Sequence, residues 1–68
     1  MSKYYIFTED IKTGDINLLE ITAFPNLKDA RMYASKKYQN IVLKAIETGM
    51  KLVCISEHTY NQHYKKEA

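Results

Sequence analysis

Ile41-Val42-Leu43-Lys44-Ala45-Ile46 is the stretch whose reading decides the fold. Read as helix, it ends a long amphipathic run, and one strand follows. Read as strand, it pairs with that last strand across a turn, and the order becomes strand-strand-helix-strand-strand. Two observations compete. Leu27, Ala30, Ala34, Tyr38, Ile41 and Ala45 recur at steps of 3, 4, 4, 3 and 4, which is one face of an α-helix. Against this, Ile46-Glu47-Thr48-Gly49 echoes Ile11-Lys12-Thr13-Gly14, which reads as a hairpin turn. Five consecutive helical steps outweigh one four-residue echo. The expectation is therefore one long helix, with the four-stranded arrangement as its alternative.

The flanks of this stretch agree with a helix. Asn26, after Pro25, is a suitable N-cap, and Asp29 suits the positive end of the helix dipole. Gly49 sits where a left-handed C-terminal cap belongs. Upstream, Tyr4-Tyr5-Ile6-Phe7-Thr8 is aromatic and β-branched and reads as a strand. A turn at 10–15 leads to a second strand at 16–23. Strict alternation there sets Ile16 and Leu18 on one face and Leu19, Ile21 and Ala23 on the other. Downstream, Leu52, Val53, Cys54 and Ile55 mark a third strand within 51–57. The polar tail at 58–68, with Tyr60 and Tyr64 four residues apart, reads as a short C-terminal helix or a frayed end.

These elements make a small α+β domain, an antiparallel three-stranded sheet with one long helix packed on one face. The most hydrophobic strand, the first, suits the middle. One helix covers one face only. Tyr4 and Ile6 occupy one face of the first strand, and Tyr5 and Phe7 the other. The second face then needs a cover, which the tail with Tyr60 and Tyr64, a second copy of the chain or a partner would supply.

The 68 residues are read as a single domain, 1–68, whose small size makes its stability marginal. The formal charge of +2 points only weakly to acidic partners. Cys54 is the only cysteine, so no internal disulfide forms, which fits a reducing cytoplasm. The N-terminal residues show no apolar signal region, and no apolar run approaches the roughly 18 residues that span a bilayer. No membrane partner is expected.

No catalytic or cofactor site is legible. Cys54, His58 and His63 do not offer the ligand set of a zinc site, and Cys54 reads as a buried structural thiol. Glu9, Asp10, Asp15 and Glu20 flank the first hairpin and read as solvated turn charges. There is no Gly-rich phosphate loop. The expectation is a non-enzymatic protein with no cofactor and no metal.

Two binding classes remain. On the helix, Tyr33, Lys37, Asn40 and Lys44 form a stripe beside the core stripe, an aromatic flanked by cations that suits a protein interface. Tyr4 and Ile6 are the matching candidates on the sheet. Alternatively, sheet tyrosines and the pairings Lys36-Lys37-Tyr38 and Tyr64-Lys65-Lys66 would serve base stacking and phosphate contact. The modest charge makes nucleic acid the weaker class.

At Glu20-Ile21-Thr22 and at Tyr33-Ala34-Ser35-Lys36-Lys37-Tyr38, the chain resembles Dmd, the small antitoxin family of T-even phages. That family has a Glu-Ile-Thr strand segment, then a helix in which an aromatic-Ala pair precedes a Tyr at matching spacing. Lys44-Ala45 and Val53-Cys54 also find counterparts, so the similarity spans about Glu20 to Glu57 with small gaps. The helix aromatic of the family is a Trp that inserts into a groove on an endoribonuclease toxin, and Tyr33 holds its place here. The resemblance implies a phage-encoded inhibitor acting in the host cytoplasm on a toxin or other defence protein.

Overall fold

The first turn is built by Asp10. Its carboxylate accepts from the Lys12 and Thr13 amides at 2.8 and 3.2 Å, and its carbonyl accepts from Gly14 N at 2.8 Å. Gly14 takes φ 78°, a conformation that would strain a residue with a Cβ. This turn joins β1 (Ser2–Asp10) to β2 (Ile16–Phe24) as an antiparallel hairpin. In the computed structural model, which describes residues 1–64, three helices follow: α1 (Leu27–Lys37), α2 (Gln39–Leu43) and α3 (Ala45–Thr48). β3 (Met50–Ser56) and α4 (Glu57–His63) complete the order. The sheet runs β2-β1-β3 and is antiparallel throughout, with β1 in the middle as expected. No described helix is long and apolar enough to cross a membrane.

The segment 41–46 is helical, so the four-stranded alternative does not occur. The long helix is nonetheless broken at Tyr38 (φ −110°, ψ 34°) and Lys44 (φ −101°, ψ 9°). No Gly or Pro lies between 27 and 48, so propensity does not cause the breaks. They accompany a change of support, from both edge strands under α1 to β3 alone under α3. The caps are those the sequence marks: Asn26 Oδ1 accepts from Asp29 N at 2.8 Å, and Gly49 closes α3 at φ 71°.

α1 lies over Tyr4, Ile6 and Cys54. Ala30 and Ala34 are fully buried there, and their small side chains let the helix backbone close on the sheet. On the opposite face, α4 covers β1 and β3. Tyr60 packs on Tyr5 at 4.4 Å between ring centroids, and Phe7 lies 5.5 Å from Tyr60 and 4.9 Å from Tyr64. Ser56 caps this helix by accepting from Thr59 N at 3.2 Å, and Tyr5 Oη donates to Glu57 at 3.3 Å.

One face assignment is corrected. The β1–β2 register shifts between Ile6, opposite Glu20, and Phe7, opposite Leu18, which leaves Leu19 as a bulge. Leu19 packs into the core under α1. Ile16, Leu18, Ile21 and Ala23 all follow the register of Tyr5, Phe7 and Glu9 onto the α4 side, instead of dividing between faces.

Cys54 is buried, 7% exposed, and burial pushes its thiol pKa up despite the nearby Arg31 charge. We expect a thiol reagent to label the native protein far more slowly than the protein in denaturant. Equal rates would show that Cys54 is not held in the core.

Candidate functional site

The one ionisable residue of β2 organises the helical stripe. Glu20 faces α1, and its carboxylate accepts three hydrogen bonds: from Tyr33 Oη at 2.6 Å, Tyr38 Oη at 2.7 Å and Lys37 Nζ at 2.8 Å. Lys37 Nζ also lies 3.0 Å from Tyr33 Oη and near the faces of both tyrosine rings. Burial works against ionisation of Glu20, but the donors outweigh it and hold the carboxyl at about 2. The same contacts raise the Lys37 pKa. The reading of Glu20 as a solvated turn charge is therefore corrected. A lone acid between Leu19 and Ile21 was the available signal, but only the bulge turns it under the helix.

The expected partner-binding stripe is split by this arrangement. Tyr33 is half-buried, with its ring 5.1 Å from Phe24 and its hydroxyl given to Glu20. Lys37 is exposed but paired. Asn40 and Lys44 are exposed and border a groove of about 300 Å³ with Thr8, Ile41, Thr48 and Met50. Tyr4 and Ile6 are corrected outright. They lie beneath α1, Ile6 fully buried and Tyr4 nearly so, and present nothing to a partner.

Sequence reasoning missed the apolar surface beside that groove. Val42 and Leu43 on α2 and Ile46 on α3 are large apolar side chains left exposed. Leu43 is 72% exposed and Ile46 99%. Periodicity places them off the core stripe but cannot show that nothing else in the fold covers them.

The nucleic-acid arrangement loses its platform. Tyr4 is buried, and Tyr5 lies under Tyr60. Lys65 and Lys66, which the sequence sets beside Tyr64, fall outside the described residues. His58 and His63 are both exposed on α4, whereas Cys54 is buried in β3. Among the described residues, no group of three His, Cys, Asp or Glu side chains is placed to hold a metal ion. Compared with protein-family models, curated proteins and solved structures, the chain finds no significant match.

Proposed function

We propose that this chain is a small non-enzymatic binding protein that docks on another protein through the outward face of α2 and α3. Its resemblance to the Dmd antitoxins gives the partner a class: a host toxin or other defence protein, blocked by a phage-encoded inhibitor. The observation that carries the docking surface is the exposure of Leu43 and Ile46, with Val42 exposed on the same short segment of chain and Asn40 and Lys44 exposed within it. Large apolar side chains left fully in water in a domain this small, where every buried methylene counts, favour a surface used in binding. The one cation at its rim, Lys44, suits an acidic border on the partner.

Tyr33 takes a different part from the one the resemblance implies. A ring packed on Phe24 with its hydroxyl bound to Glu20 is a poor free anchor. It fastens α1 to β2 and so sets where α2 begins. The contact surface accordingly moves toward the C-terminus, to Val42, Leu43 and Ile46.

The test is capture from a nuclease-treated lysate of the bacterial host, with wild type beside Leu43→Asp/Ile46→Asp. Both side chains are exposed, so the double variant should unfold within about 0.5 kcal/mol per site of wild type. Loss of central apolar contacts should weaken capture of the partner by about 30-fold, equivalent to about 2 kcal/mol. Undiminished capture by the double variant would displace the surface. Capture that vanishes with nuclease would displace the class.

A further inference from the structure

The two edges of the sheet are not alike. β3 is protected: Lys51 projects from it and pairs with Glu9 at 3.3 Å, and Arg31 Nε donates to the Cys54 carbonyl at 3.3 Å. β2 carries no Lys and no Pro, and its one charge turns inward to Lys37. Open edges are normally blunted by such charges or by proline, because their unpaired amides and carbonyls accept another strand. β2 has only the bulge at Leu19, which leaves 20–24 in regular register.

The face beside this edge is also open. The described part of α4 packs on β1 and β3 and, on β2, borders Ile16 at the start of the strand. Leu18 and Ile21 are therefore 43% and 48% exposed on the α4 side, and Ala23 is exposed beside them.

We propose that β2 pairs antiparallel with β2 of a second copy of this chain, joining two three-stranded sheets into one of six strands. A two-fold axis through Thr22 satisfies the strand's own chemistry. Thr22 then faces Thr22 of the second copy, a favourable cross-strand pair. Ile21 faces Ala23, large against small, on the open side. Glu20 faces Phe24, so the two carboxylates are offset, and each is already neutralised by its own Lys37. The strand thus meets its copy with no opposed like charges, which distinguishes it from β3 with Lys51.

The size of the contact sets its strength. Five residues of strand span about 17 Å, and a sheet is about 10 Å thick. Such a strip, with Leu18 beyond it, amounts to a few hundred Å² on each copy, against the roughly 800 Å² of a standard interface. A contact this small makes the dimer weak and reversible. It uses the edge opposite β3, on which α2 and α3 pack, and does not depend on the partner surface proposed above.

Sedimentation of the full chain from about 10 µM to 1 mM tests the pairing. Wild type should pass from monomer to dimer across that range. Ile21→Lys/Ala23→Lys should raise the dissociation constant at least about tenfold while thermal unfolding is preserved, and Leu43→Asp/Ile46→Asp should leave it unchanged. Amide hydrogen exchange supplies a reading that needs no variant: protection at 20–24 should increase with protein concentration. A wild type that stays monomeric to 1 mM, β2 amides whose exchange ignores concentration, or a dimer lost only in the Leu43/Ile46 variant would each overturn the proposal.

Discussion

Phe7→Ala is expected to bring the domain close to its unfolding midpoint in plain buffer at 25 °C. Phe7 is fully buried, opposite Val53 and Leu18, with the rings of Tyr60 and Tyr64 against it. Truncating a buried Phe costs about 3–5 kcal/mol in lost transfer energy and residual cavity. A domain of this length has roughly 3–10 kcal/mol in total, at about 0.05–0.15 kcal/mol per residue. The substitution therefore removes a large share of all the stability there is. Tyr60→Ala should cost less, because Tyr60 is half-buried, but it acts on the same layer by uncovering Tyr5 and Phe7. Urea titrations of the three proteins give the order wild type, Tyr60→Ala, Phe7→Ala, with Phe7→Ala partly unfolded at zero denaturant. A loss below about 1 kcal/mol for Phe7→Ala would mean that α4 is not a structural layer and that this face is open.

What could be read from the sequence follows from the range of the forces involved. The hairpin, the Asn26 and Gly49 caps and the helical state of 41–46 depend on residues within four or five positions of one another. Local pattern therefore identifies them. The tail was legible only as one of three covers for Tyr5 and Phe7, since nothing local says which surface Tyr60 will meet. The bulge at Leu19 was not legible, because an extra residue is defined against the partner strand. Its consequences were lost with it: Glu20 turned under α1, and Ile16, Leu18, Ile21 and Ala23 gathered on one face. Tyr33 shows the same limit. Its position beside the core stripe is legible, but its hydroxyl's bond to Glu20 is a contact across 13 residues.

Glu20→Gln should cost about 2 kcal/mol at neutral pH, and that cost should disappear in acid. The carboxylate holds two tyrosine hydroxyls and one ammonium, while its side chain is only 20% exposed. These donors hold its pKa at about 2, against 4.5 for a free carboxyl. A lowered folded-state pKa means that the unfolded chain binds the proton more readily. The ionised group therefore stabilises the fold fully above about pH 5, and the contribution falls as pH drops from there toward about 2. The unscreened equivalent of the shift exceeds 3 kcal/mol by the linkage relation, at about 1.4 kcal/mol per unit. Water at the half-exposed Lys37 end reduces it to the smaller figure. Glutamine keeps the shape but has no charge for Lys37 and offers one oxygen where three donors converge. Unfolding free energies of wild type and Glu20→Gln, measured from pH 7 down to pH 2, should differ most at pH 7 and converge below pH 3. Tyr33→Phe, which removes one donor, should show a similar convergence at a cost of about 1 kcal/mol. A difference between wild type and Glu20→Gln that does not change with pH would show that Glu20 acts through packing alone and that its charge does not fasten α1 to β2.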